Sequence, residues 1–428
     1  MEAPARGDEE SSYIIPLLHN IDIKQQSIYR SNDSQTDEEE EGNTSFFKTC
    51  FNGLNALSGV GILSVPYALA SGGWLTLGLL FIVASSTFYT ALLIKRCMDI
   101  DPSIRTYPDI GELAFGKKGR WVVSIFMNIE LYLVATGFLI LEGDNLHKLL
   151  PNVGSSQMFI IAVSVIILPT VWLNMSIMSY ISAGGVIASA VILFSVIWVG
   201  AFDGIGFRNN GVLLNWNGIS TSLSLYAFCY CAHPVFPTLY SSMRDKNQFS
   251  KVLLVCFSLC TICYASMAVF GYLMFGSGVE SQITLNLPTD KISSMVAIYT
   301  TLVNPISKYA LMVTPIMNAM ERRVQDLYGK KVSRVMIRSG LVISTVGVAL
   351  LVPSFGDLMT LVGAFLSSSA SIVLPCLCYL KISGGYGRRR IRTGVGFETV
   401  IIVGIVIMGI CIAFVGSYVA IQQLLFHM

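Results

Sequence analysis

Four places in this 428-residue chain hold residues that could do chemistry. The first is Asn55-Ala-Leu-Ser-Gly-Val-Gly-Ile-Leu-Ser-Val-Pro66, where Gly59, Gly61 and Pro66 interrupt an apolar segment running from Phe46 to Ala70. The second, Tyr226-Ala-Phe-Cys-Tyr-Cys-Ala-His-Pro-Val-Phe-Pro237, is a similar interruption built on Pro234 and Pro237 and carrying His233. The third is Asn304-Pro-Ile-Ser-Lys308, which sets a lysine deep in another apolar segment, and the fourth is Glu130, an acid at comparable depth. A helix broken at membrane depth exposes backbone N–H and C=O groups that cost several kcal/mol each unless protein or a wet cavity receives them. The breaks are therefore expected to face a ligand. No set of metal ligands and no nucleophile with a base occurs at membrane depth, so neither an enzyme nor a metal or cofactor is expected.

Lys308 lies 17 residues past Lys291 and 13 before Glu321, too far to snorkel to either surface. On insertion scales a lysine at that depth costs about 2.5–3.5 kcal/mol unless it faces a cavity and a partner. Two readings stay open for it: a role in coupling transport to an ion, and a structural tether to backbone carbonyls of the first apolar segment. Glu130 and His233 could titrate, or could simply be held by hydrogen bonds.

The elements that must position these groups are membrane-spanning helices. At 53% hydrophobic, 13% charged and a mean hydropathy of +0.64, the composition excludes a soluble globular protein. Eleven apolar stretches approach the roughly 20 residues needed to cross a bilayer: 46–70, 73–94, 121–141, 157–173, 181–202, 218–240, 252–275, 292–320, 335–352, 358–380 and 395–425. With the N-terminus in the cytosol, the inner loops hold nineteen basic residues against Lys148, Arg208 and Lys291 outside, which is the asymmetry that orients membrane proteins. Those charges serve topology, so no nucleic acid partner is expected; the bilayer is the partner.

Two domains follow, a disordered acidic tail over residues 1–45 and a transmembrane domain over 46–425. The tail has no apolar region resembling a cleaved signal peptide, so the first span is expected to direct insertion. Within it, Glu10-Ser-Ser-Tyr-Ile-Ile15 reads either as an acidic sorting signal or as a sticky patch in a solvated tail. Thr106 to Gly116 is expected to form a short surface helix, capped by Thr106 or Asp109 and ended by Gly116, with its Ile110, Leu113 and Ala114 side on the membrane. Cys260-Thr-Ile-Cys263 has redox spacing but no soluble domain around it, so the cysteines are expected to be packing residues without disulfides. The sequons at Asn32, Asn43 and Asn174 all fall on the cytosolic side and should stay unmodified.

The two interrupted helices are the first and sixth spans, five apart. Paired breaks at matching places in two halves are the sequence sign of an inverted five-plus-five repeat with discontinuous helices 1 and 6 and a ligand near the midplane.

The run Asn55 to Ala68 followed by Gly72-Gly-Trp74, the Thr106 to Gly116 loop and His233-Pro-Val-Phe-Pro237 resemble the amino acid/auxin permease family. The acidic tail, Asn304-Pro-Ile-Ser-Lys-Tyr309 and eleven spans look most like its plant vacuolar amino acid transporter subfamily. The resemblance implies a fold similar to sodium-coupled neurotransmitter symporters. It also implies that the N–H groups of Ser58, Gly59, Val60 and Gly61 receive a substrate carboxylate. The carbonyls of Tyr226 to Cys229 would take the ammonium, with Phe228 and Tyr230 shaping the side-chain pocket. Where sodium-coupled relatives bind an ion between spans one and eight, a fixed ammonium on Lys308 could stand in for it, which favours protons. Asn55, Lys308, Glu130 and His233 are the coupling candidates. The expected function is proton-coupled secondary transport of neutral amino acids by alternating access, at the vacuolar or alternatively the plasma membrane. The rival readings are an amino acid sensor with little flux and a carrier of auxin or other organic acids.

Overall fold

The computed structural model describes residues 42–427 apart from 43, 173–174, 209–210, 329, 353 and 387–394. The acidic tail to residue 41, all three sequons and the Arg388 to Arg390 run lie outside the described residues. What is described is almost wholly helical, as the bilayer demands of any chain whose backbone must satisfy itself.

The first expected span forms two helices, α1 (Phe46–Leu57) and α2 (Gly61–Gly72), bent by 51° at the three residues between them. Ser45 caps α1 by accepting from the Lys48 amide at 3.4 Å. Pro66 lies inside α2 rather than at the break, its ring against Gly271, where an added Cβ would come within 2.6 Å of it. Then follow α3 (Thr76–Ile100), α4 (Tyr107–Leu149), α5 (Ser156–Ile167) and α6 (Met175–Phe202). The sixth span is again two pieces, α7 (Ile219–Cys229) and α8 (Phe236–Ser242), joined through a 3₁₀ turn at His233–Val235. The second half continues with α9 (Phe249–Phe275), α10 (Ile292–Tyr328) and α11 (Lys330–Leu351). The tenth span begins as α12 (Phe355–Leu361), widens into π-helix at Val362–Ser367 and Ser369–Val373, and resumes as α13 (Leu374–Tyr386). The last comprises α14 (Val395–Cys411), π-helix at Ile412–Gly416 and α15 (Ser417–His427).

Every expected span thus coincides with helix; by length and apolar composition among the described residues, seven helices are long enough to cross a membrane, or eight with the bent pair, so the count of eleven is not itself confirmed. Three expected spans fall outside that number: the eighth, although it lies in the 37-residue α10, and the fourth and sixth, which are short or divided. The fourth is only 12 residues of α-helix and the sixth is divided into pieces of 11 and 7.

The surface helix before the third span forms as expected. Thr106 donates its N–H to Asp109 Oδ2 at 2.8 Å, and Gly116, at φ +68°, makes the corner into the span. Its apolar side does not rest on lipid, however. Ile110 and Ala114 are buried in protein, and the Tyr107 hydroxyl donates to the Ala370 carbonyl at 2.6 Å. A π-turn releases carbonyls from the regular ladder, and Thr90 Oγ1 caps the next one, Ser371, at 2.7 Å.

Spans one and six are stitched together along their whole length. At one end Thr44 N–H donates to Ser242 O and Arg244 N–H to Thr44 O, both at 3.0 Å, the single β-bridge among the described residues. At the other end Trp74 N–H donates to Val212 O at 3.1 Å and Asn215 N–H to Gly72 O at 2.9 Å. Gly73 makes this approach possible, since at φ +86° an added Cβ would strike Val212 O at 2.6 Å. In the middle, the breaks themselves touch.

Candidate functional site

The α1 helix ends because the chain turns. The amides of Ser58 and Gly59 bond back to Leu54 O at 2.6 Å and Leu57 O at 2.9 Å, while those of Val60 and Gly61 open the next helix, whose first amides have no carbonyl one turn back. The break therefore presents the positive end of α2. Across it, Tyr230 N–H bonds Ala227 O at 3.3 Å, not Tyr226 O four residues back, which releases the Tyr226 carbonyl and ends α7. A positive helix start and a negative helix end thus meet. They are in van der Waals contact: Cys229 Sγ lies 3.6 Å from Gly61 O, and any Cβ on Gly61 would fall 2.8 Å from that sulfur. One side chain spans both breaks. Tyr264 of α9 donates its hydroxyl to Leu57 O at 2.5 Å and lies 3.4 Å from Cys229 O.

A cavity of about 120 Å³ opens at this junction. Since a single water needs about 10–15 Å³ measured this way, there is room for a small organic molecule. Gly59, Val60 and Gly61 border it from the first break, and Phe228 and Cys229 from the second. Leu131, Val134 and Phe138 of α4, Tyr264 of α9 and Met312 of α10 complete an apolar wall. A Cβ added to Gly59 would meet nothing within 4 Å, so this glycine faces the open space.

Asn55, Glu130 and Lys308 border the same cavity. Lys308, 4% exposed, donates Nζ to Ser58 O at 3.1 Å and Asn55 O at 3.4 Å, two carbonyls that the end of α1 leaves without helical partners. A cation at a helix C-terminus is favourably placed. The tether reading of Lys308 is thus realised in the geometry. Gly185 of α6 makes room for it, because a Cβ there would come within 2.8 Å of Nζ and 2.6 Å of Asn55 Oδ1. Glu130, 3% exposed, accepts from Ser367 Oγ of the π-helical stretch at 2.6 Å.

The remaining sequence candidates are turned away from the cavity. Ser58 directs its hydroxyl to Ser189 Oγ of α6 at 2.5 Å. The Tyr226 side chain is fully buried elsewhere, and Tyr230 bonds Thr261 Oγ1 at 2.9 Å with its ring stacked on Phe257 at 5.9 Å. His233 is fully buried against the second span, its Nε2 2.8 Å from Thr90 Oγ1 and 3.1 Å from Thr87 O. Val134, Phe138, Tyr264 and Met312 carry no signal in the sequence that separates them from lipid-facing neighbours. We expect Tyr264→Phe to cost about 1–2 kcal/mol of stability, since a buried hydroxyl joining two carbonyl-bearing breaks is lost. A thermal-shift measurement on the purified protein checks this, and an unchanged midpoint would mean the bridge is idle.

Residues 42–422 match the family model described as "Transmembrane amino acid transporter protein". The chain is 64% identical over 396 residues to amino acid transporter AVT1J of Arabidopsis thaliana, covering 90% of this chain and 92% of that relative. It is 56% identical to amino acid transporter AVT1I of the same plant, covering 90% and 96%. Among solved structures, one described as the inward-facing conformation of Mhp1 superposes over 90% of this chain and 91% of its own, with a TM-score of 0.53 at 12% identity. That likeness is one of fold.

Proposed function

Because this chain belongs to the family of transmembrane amino acid transporters, and so moves amino acids across a membrane rather than catalysing a reaction, we propose that its substrate is held at the two breaks as a zwitterion. The Val60 and Gly61 amides and the positive start of α2 take the carboxylate. The Ser58 and Gly59 amides, already bonded within the turn, join only if the turn opens. The ammonium is received by the released Tyr226 carbonyl and by Cys229 O. Phe228, Leu131, Val134, Phe138 and Met312 surround the side chain, which favours neutral and mostly apolar amino acids. The observation that carries this reading is the cavity itself, bordered by both breaks at once.

Transport follows by alternating access. Spans one and six, bonded at both ends and in contact at the centre, move as one pair against the helices that face them. In this reading Lys308 couples the cycle to protons: its ammonium holds the end of α1, and release of its proton frees that end to move. Glu130, on the same cavity, is a second group that could carry a proton. The proposed topology has the N-terminus in the cytosol and the protein in the vacuolar membrane, and a fluorescent fusion imaged against a vacuolar marker tests the location.

The decisive experiment is uptake of radiolabelled neutral amino acids into proteoliposomes, with sodium absent and a pH gradient imposed or omitted. Uptake that needs the gradient is expected. Uptake indifferent to the gradient would overturn proton coupling, and binding without any uptake would favour a sensor.

A further inference from the structure

We propose that Glu142 is a proton-binding site separate from the central cavity, on the route from the cavity to the membrane face opposite the N-terminus. The proposal rests on the proton-coupled reading above. The face of α4 that borders the cavity at Leu131, Val134 and Phe138 continues, by the helical period, to Glu142 and then Asn145. Glu142 is four residues, or about 6 Å of rise, beyond Phe138.

Glu142 is 1% exposed, and neither of its carboxyl oxygens has a hydrogen-bond partner. Asn145, fully buried, uses its amide hydrogens on Leu141 O at 2.8 Å and Gln282 Oε1 at 2.6 Å, which leaves its own Oδ1 unpaired. The groups around them are hydrogen-bonded: Gln282 Nε2 donates to Asp144 Oδ2 at 3.0 Å, and Ser156 Oγ to Asp144 Oδ1 at 2.8 Å. What the site holds is a surplus of acceptors, and what it lacks is a donor. A proton on Glu142 turns an acceptor-only carboxylate into a hydroxyl donor. Asn145 Oδ1, three residues along the same helix face, is the neighbouring acceptor. A bare carboxylate in this position would have nothing to offset its desolvation.

The charged groups on the surrounding elements do not compensate it. On α4 itself Asp144 is engaged as above, His147 Nδ1 meets Gly154 O at 2.8 Å, and Lys148 donates to Leu285 O at 2.8 Å. Glu130 is bonded to Ser367 and lies twelve residues back along the helix. Lys308 of α10 is committed to the end of α1, and Glu321 of that helix pairs with Arg338 of α11 at 2.8 Å. Arg334 of α11 also pairs with Glu321, at 3.7 Å. His233, in the turn before α8, is held by the second span. Asp357 of α12 has interactions of its own. Glu280, before the turn that carries Gln282, is exposed, and α5 has no ionisable residue.

Glu142→Gln is the test, because glutamine keeps the shape and supplies amide hydrogens where the protonated acid would supply its hydroxyl. Amino acid exchange at equal pH should stay within about twofold of wild type, while accumulation driven by a pH gradient should fall at least about tenfold. In infrared difference spectra of the purified protein between acid and alkaline pH, the variant should lose one component of the carboxylic acid carbonyl band that wild type shows. A band that loses no component, wild-type accumulation, or equal loss of exchange and accumulation each overturns the proposal. A band that responds to sodium instead of pH makes this a sodium site and also overturns it. If wild type ignores the pH gradient while the variant still loses that component, proton coupling fails and the proton site stands.

Discussion

Replacing Gly59 with leucine abolishes amino acid uptake in the expected result, by at least about a hundredfold, or roughly 3 kcal/mol of lost substrate binding and orientation. Gly59 borders the cavity, and nothing lies within 4 Å of where its Cβ would be, so an isobutyl group projects into the space a substrate needs. Its backbone is not in the left-handed region, so leucine imposes no conformational strain there. The protein should reach the membrane in normal amount and melt within a few degrees of wild type. Gly61→Leu is the informative contrast. A Cβ there would come 3.2 Å from the Cys229 Cα as well as 2.8 Å from its sulfur, so that variant should lose folded protein together with uptake. Measured together by size-exclusion yield and uptake, the two glycines separate a blocked site from a broken fold. Uptake surviving in Gly59→Leu would place the substrate elsewhere.

The second large effect concerns Lys308. Lys308→Arg retains the charge but replaces a compact ammonium with a planar fork. The space cannot accept it: the α6 backbone comes so near that a single methyl on Gly185 would already lie 2.7 Å from Lys308 Cε. Uptake should fall at least about tenfold in this variant, a loss of roughly 1.4 kcal/mol or more. Lys308→Met fits the space but removes the ammonium that the Ser58 and Asn55 carbonyls accept from, at about 1–3 kcal/mol for the buried Ser58 acceptor. Its thermal midpoint should drop, and whatever uptake remains should no longer respond to a pH gradient. A methionine variant that keeps gradient-driven accumulation would leave Lys308 a tether only. An arginine variant that transports normally would show that charge, not fit, is what the site selects.

The breaks were readable because glycine and proline in the middle of an apolar run conflict with the one rule a bilayer enforces on backbone. Lys308 and Glu130 were readable for the same reason applied to charge. The surface helix at Thr106 was readable from its capping residues, though not its resting place. Whether Ile110 and Ala114 lie on lipid or are buried in protein depends on where the neighbouring spans run, and nothing local to Thr106–Gly116 encodes it. The π-turns themselves were not readable: Val362–Val373 carries Ser367, Ser368, Ser369 and Ser371 within an apolar span, but serines alone do not distinguish a π-turn from regular helix.

What the sequence by itself determined, then, is the class of molecule, the two broken spans in register, and the buried ionisable residues. Each is fixed by a free-energy cost that holds wherever in the membrane the residue ends up. Only the tertiary structure decided which side chains share the cavity. It directed the side chains of Ser58, Tyr230 and His233 into hydrogen bonds with neighbouring helices and brought in Tyr264, Phe138 and Met312 from helices far along the chain. The reason is that lipid tails are as apolar as leucine, so the contrast that marks the buried face of a helix in water is missing here. The rotation of each helix is set by shape against its neighbours, at close approaches such as Gly61 on Cys229 and Gly185 on Lys308, and shape exists only once the helices have met.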